Sequence, residues 1–236
     1  MTKVGMSMKD DELIAFLGTA IANQRQIVGN QNNDGSLKTA AVRGVARAAY
    51  QRLTEHSKPM FSKTILAVLN SNIDYKNTLA FDLLFRNKKL YLDGDSQAFL
   101  QSIVENHLHD WASCDDYCTH SFGYWLVENP SKVACVMAYL DHDNAMIRRA
   151  AAVSLVYPAK QGLFLNESLR VVEGLLEDDH HLVHKATGWL LKEHAVFNPN
   201  NQELLDWYLT HESSMSALTR RYSQIRKRMD CGLASA

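Results

Sequence analysis

Trp111 and Asp115 are four residues apart, so on a helix they share one face. An aromatic ring beside a carboxylate is a pair that can hold a cation, the ring by cation–π attraction and the carboxylate by charge. The spacing alone also fits a core tryptophan beside an exposed aspartate near a helix N-terminus. Arg148 and Arg149 follow. Adjacent residues point about 100° apart on a helix, so at most one of the two faces a given ligand. One could clamp a phosphate bidentately; the other reading is a surface pair bridged to Asp141 or Asp143. Trp189 sits four residues after Lys185 in an apolar stretch with Ala186, Leu190 and Leu191, where core packing competes with a ligand-facing role. Lastly, Arg220, Arg221, Arg226, Lys227 and Arg228, with Tyr222 interleaved, form a basic run without an acid until Asp230. Such a run suits a phosphate backbone, or equally a solvated terminal helix whose late cations match the dipole.

Metal chemistry is the weaker reading. Cys114 and Cys118 lie one helical turn apart with His120 nearby, but a closed zinc site takes four ligands, usually with a Cys-x-x-Cys knuckle. His180, His181 and His184 have turn spacing without a metalloprotease glutamate. No metal and no cofactor are expected, and the cysteines read as small apolar fillers. The sequence also lacks a glycine-rich phosphate loop and a Gly-x-Ser-x-Gly elbow.

The elements that must carry these groups are helical. In 11–24 the apolar set is Leu13, Ile14, Leu17, Ala20 and Ile21; in 163–177 it is Leu165, Leu169, Val172 and Leu176, each one stripe on one helix face. Breaks fall between such segments at 30–35, 57–59, 93–95, 129–130, 141–144, 158–162, 177–180, 198–201 and 211–214. The segment 147–153 (IRRAAAV) recurs as 183–189 (VHKATGW), an offset of about 36 residues that suits helix-pair repeats. A looser copy begins at Lys76. Small residues stand mid-helix in each copy, where neighbours must approach closely.

Composition agrees. Of 236 residues, 46% are hydrophobic and 22% charged, which excludes wholesale disorder. Four prolines and 11 glycines are too few for a barrel or sandwich of many short strands. The predicted fold is all-α, an α-solenoid of about six antiparallel helix pairs with a concave groove, in one domain over 1–236; a compact helical bundle is the competitor. A net charge of -1 excludes a uniformly basic nucleic-acid binder, though not one with a basic face. Asp10, Asp11 and Glu12 stand where a secretory signal would be apolar, and no stretch approaches a membrane span. With four cysteines and no disulfide pattern, the expectation is a cytoplasmic protein with reduced thiols.

Three segments in order, Trp111-x3-Asp115, then 144–151 (NAMIRRAA), then 185–193 (KATGWLLKE), resemble the AlkD-type DNA alkylation repair family. The segment 217–221 (ALTRR) is similar to its C-terminal helix, and the resemblance spans about 105–225. It implies a solenoid of HEAT-like repeats that grips duplex DNA and, in active members, a monofunctional glycosylase releasing cationic N3- and N7-alkylpurines without a base pocket or cofactor. By position, Asp115 is similar to the catalytic carboxylate, Trp111 and Trp189 to the aromatic pair flanking the lesion, and Arg149, rather than Arg148, to the phosphate-contacting arginine. Arg148, Lys185, Arg220 and Arg221 join as DNA-binding candidates. The implied partner is alkylated double-stranded DNA, bound by a monomer. The sequence departs from the family in having no proline in 36–53, only Phe16 as an aromatic residue in 11–30, and acidic neighbours Glu105, Asp110 and Asp116 around the site. The alternative function is a non-catalytic helical-repeat module that binds DNA structures or protein and peptide partners.

Overall fold

The computed structural model describes residues 9–53, 57–198 and 201–233, with side chains to residue 229. Residues 1–8, part of the 198–201 break and the Cys231 side chain therefore lie outside the described residues. Among the described residues no strand forms beyond one isolated bridge between Gln31 and Leu37. The fold is all-α, built from helical repeats. Its internal contacts divide it into two compact units, 1–92 and 93–236.

The first unit holds α1 (Asp10–Arg25), α2 (Thr39–Tyr50), α3 (Lys58–Asn70) and α4 (Lys76–Arg86). Of the predicted α1 stripe, Leu13, Leu17 and Ile21 are buried and Ile14 and Ala20 half-buried, and α2 packs on it with Val42, Val45, Ala46 and Ala49 buried. Pro59 stands in the first turn of α3, where a missing N–H costs nothing. Phe16, the early aromatic residue, lies under the Arg52 guanidinium, 3.9 Å from ring centroid to carbon.

The second unit contains all four tryptophans. It runs through α5 (Gln97–His107), α6 (Trp111–Tyr117) and a π-helical turn, Cys118–Phe122, into α7 (Gly123–Glu128). A ten-residue 3-10 segment, Pro130–Tyr139, precedes α8 (Ala145–Val153) and the single turn α9 (Val156–Ala159). Then come α10 (Leu165–Gly174), α11 (His181–Phe197), α12 (Gln202–His211), α13 (Ala217–Ser223) and α14 (Ile225–Leu233). The pairs are thus less regular than the spacing alone predicts. The two copies of the internal repeat are α8 and α11, and they pack directly on each other. Their small residues do what the pattern required. A Cβ on Gly188 would lie 2.6 Å from both the Thr219 carbonyl oxygen and Tyr222 Cβ, so α11 and α13 meet backbone to backbone there.

His194 of α11 is buried, with Nε2 2.8 Å from the Ser168 hydroxyl of α10. Burial lowers its pKa to about 4. The folded state then refuses a proton that the unfolded chain accepts near pH 6.5. Stability from this site is complete above that value and is lost as pH falls toward the folded-state value. Between pH 7.5 and 5 the loss should reach about 2 kcal/mol. Urea unfolding followed by tryptophan fluorescence, which reports the second unit, checks it: His194→Gln should flatten that part of the pH dependence, and an unchanged slope refutes the assignment.

Candidate active site

Local sequence chemistry places α6. The Asp110 carboxylate accepts the Ser113 backbone N–H at 2.7 Å, and the Ser113 hydroxyl lies 3.3 Å from the Asp110 N–H, a reciprocal cap that starts the helix at Trp111. Trp111 therefore occupies the first helical position and Asp115 the next turn on the same side. Trp111 is 56% exposed, so it is not a core residue. Two of the acidic neighbours have structural duties: Asp110 is the cap, and Asp116 lies 3.2 Å from the His120 ring.

Asp115 is not the surface carboxylate its spacing also allowed. Its side chain is 24% exposed and is held by Arg149, whose own side chain is 6% exposed. Arg149 Nε and Nη2 donate to Oδ1 at 3.0 and 2.7 Å, and Nη2 also reaches Oδ2 at 3.0 Å. Nη1 of the same guanidinium donates to the Leu182 carbonyl at the start of α11. One buried arginine thus ties α6, α8 and α11 together around one carboxylate. Oδ1 accepts two of these hydrogen bonds and Oδ2 one, which leaves a lone pair on Oδ2. Burial pushes the Asp115 carboxyl up from its ordinary value, and Arg149 pulls it part of the way back.

Arg149 therefore turns inward, toward Asp115, rather than outward as expected of a phosphate contact. Arg148 points the other way and is also taken. Its five N–H groups go to Asp178 (2.6 and 3.1 Å), Asp179 (3.1 Å) and the carbonyls of His142 and Asp143 (2.8 and 3.0 Å). The anticipated partners Asp141 and Asp143 give way to Asp178 and Asp179, because the side chain reaches from the Asn144-capped start of α8 to the turn before α11. Burial would raise Asp178, but the hydrogen bonds from Arg148 and the His180 backbone hold its carboxyl below the ordinary range.

On α11, His180 caps the start through Nδ1, which accepts the Leu182 N–H at 3.2 Å. Trp189 lies seven residues beyond Leu182, on the same side of the helix. It is half-buried, and its indole Nε1 donates to Glu193 Oε1 at 2.7 Å. Glu193 escaped the sequence reading, although its i, i+4 relation to Trp189 was a usable signal. Lys185 and Arg221 flank the Tyr222 ring, each 5.8 Å from its centroid. Arg220 serves the fold: it donates to the carbonyls of Glu212 (3.2 Å) and Met215 (2.5 Å). Arg226 is bonded to the Glu212 carboxylate. The basic run thus divides into cations that hold the 212–215 turn and cations on its exposed side.

Cys114 and Cys118 are wholly buried beneath the site, and Cys114 donates to the Met146 carbonyl at 3.7 Å. Burial first, then Cys118, raises the Cys114 thiol well above its usual range. Among the described residues no group of three or more His, Cys, Asp and Glu side chains could hold a metal ion. No described helix is long and apolar enough to cross a membrane.

A helical-repeat scaffold that presents one half-buried carboxylate, held by a buried arginine and with an exposed tryptophan one turn before it, defines the class to which this chain should be compared. The sequence model of the DNA alkylation repair enzyme family matches residues 12–226. The chain belongs to that family. Among solved structures, it is similar to one described as a predicted DNA alkylation repair enzyme from Enterococcus faecalis, with 17% identity, a TM-score of 0.65, and coverage of 93% of this chain and 96% of that one. It is also similar to AlkD2 from Streptococcus mutans, with 16% identity, a TM-score of 0.62, and coverage of 90% and 96%. No curated protein matches the chain.

Proposed function

We propose that the protein, acting as one HEAT-like domain over 1–236, is a monofunctional DNA glycosylase that releases cationic N3- and N7-alkylpurines from duplex DNA. The observation that carries this reading is Asp115, a carboxylate oriented by buried Arg149, partly open to solvent, with exposed Trp111 one turn before it. An N7-alkylpurine is already positive, so the glycosidic electron pair departs with the base and leaves it neutral. No strong general acid is required. Positive charge develops on the deoxyribose, and an ionised carboxylate stabilises it and orients the water that adds to it. The proton lost from that water passes to solvent by way of the Oδ2 lone pair, leaving an abasic site. Trp111 and Trp189 add aromatic faces to a cationic substrate, about 1–2 kcal/mol each when desolvated. Arg149 acts through Asp115, and exposed Arg221 with Lys185 are the cations offered to phosphates.

A duplex with a single 7-methylguanine tests this directly. Incubation followed by alkali should break the strand at that position; no break above background at enzyme excess rejects the activity. The second reading is a non-catalytic module, favoured by the engagement of both Arg148 and Arg149 with protein acceptors. Salt-titrated binding separates the two. A surface that contacts several phosphates loses affinity steeply with salt, whereas salt-insensitive peptide binding without DNA affinity supports the module.

A further inference from the structure

We infer that Glu193 is a positioning residue that sets the electron density of the Trp189 indole and thereby the preference of the site for a positive charge. The inference rests on the proposed excision reading, because it takes Trp189 to face the lesion nucleotide.

Glu193 is 5% exposed, an unusual place for a carboxylate. It stands one turn beyond Trp189 on α11 and accepts the indole N–H through Oε1 at 2.7 Å. Lys192 Nζ lies 2.9 Å from the same oxygen, with 28% of its side chain exposed against 7% for Glu193. Two consequences follow. A short hydrogen bond to a buried acceptor holds the indole in one orientation, so a ligand meets a face that is already placed. A negative acceptor on the indole N–H also pushes electron density into the ring. Cation–π attraction depends on the negative potential of the ring face, so the bond strengthens the hold on a cationic sugar or base and leaves the hold on a neutral one almost unaltered. A neutral acceptor would orient the ring equally well without that bias, which gives the buried charge a reason.

Glu193→Gln separates orientation from charge, since the glutamine oxygen can accept the same N–H. Affinity is measured for two duplexes, one bearing a cationic pyrrolidine abasic analogue and one a neutral tetrahydrofuran analogue, alongside the rate of 7-methylguanine release. The wild-type protein should prefer the cationic duplex. Glu193→Gln should lose roughly fivefold of that preference, at unchanged affinity for the neutral duplex. In a Trp189→Leu background the substitution should change nothing, because the effect travels through the ring. If Glu193→Gln fails to fold, Glu193→Asp carries the test: it keeps the charge but draws the oxygen back by one methylene, and the preference must fall there too. A preference unchanged in Glu193→Gln, or equally reduced with and without Trp189, overturns the inference while excision stands. A wild-type protein that neither releases 7-methylguanine nor distinguishes the two duplexes overturns the excision reading, and this inference with it.

Discussion

Asp115→Asn should lower the single-turnover release of 7-methylguanine by roughly 100-fold, as the loss of one preorganised charged stabiliser does elsewhere. The substitution is nearly isosteric, and the amide oxygen can still accept from Arg149 Nε and Nη2. Duplex affinity should therefore stay within a few-fold, so the loss falls on the chemical step. The pH profile supplies a second reading of the same residue. Burial outweighs Arg149 in shifting the carboxyl upward. The acid side of the rate profile should thus fall off at a pH above the ordinary aspartate value of 3.8. That limb should vanish in Asp115→Asn, because no group remains there to protonate. Unchanged release in the variant would remove Asp115 from the mechanism, and a limb that persists would assign the titration to another group.

The sequence made the elements and their order readable for definite reasons. Leu13, Leu17 and Ile21 mark a single buried stripe, and they are buried. The i, i+4 rule puts Trp111 and Asp115 on one side of α6, and the Asp110–Ser113 cap holds them there. The 36-residue offset identifies two helices that pack on each other because repeated units bury one another's faces. What stayed hidden depends on contacts between distant positions. Arg149 and Asp115 are 34 residues apart, and Arg148 and Asp178 are 30 apart. Two adjacent arginines on one helix point in different directions, and only packed neighbours decide which meets which carboxylate. The π-helical turn at Cys118–Phe122 has no composition signal either, since Gly123 alone would not announce it. The close approach explains the glycine instead: a Cβ on Gly123 would lie 2.7 Å from the Cys118 carbonyl oxygen of that turn and 2.8 Å from the Ser154 carbonyl oxygen at the end of α8.

The pairing hidden from the sequence also makes the strongest stability prediction. Arg149→Met should destabilise the second unit by about 3 kcal/mol at pH 7.5, the lower end of the range for breaking a buried ion pair because the Asp115 side chain keeps some exposure. Methionine fills much of the space but leaves a carboxylate that is partly desolvated and without its cation, and it also abandons the Leu182 carbonyl. Removing the guanidinium takes away the main influence that lowers the Asp115 pKa, so the folded-state value rises further above the unfolded one. A group raised in this way favours the folded state below its unfolded pKa and loses that contribution as pH rises through the folded value. The penalty in Arg149→Met should therefore shrink as pH falls from 7.5 toward 5. Asp115→Asn added to Arg149→Met should restore most of the loss at pH 7.5, since no charge is then left unpaired. Urea unfolding monitored by tryptophan fluorescence reports only the second unit, where all four tryptophans lie. A penalty that is flat with pH and not relieved by Asp115→Asn would show that Arg149 contributes through packing. The carboxylate would then owe its ionisation and orientation to something other than this arginine.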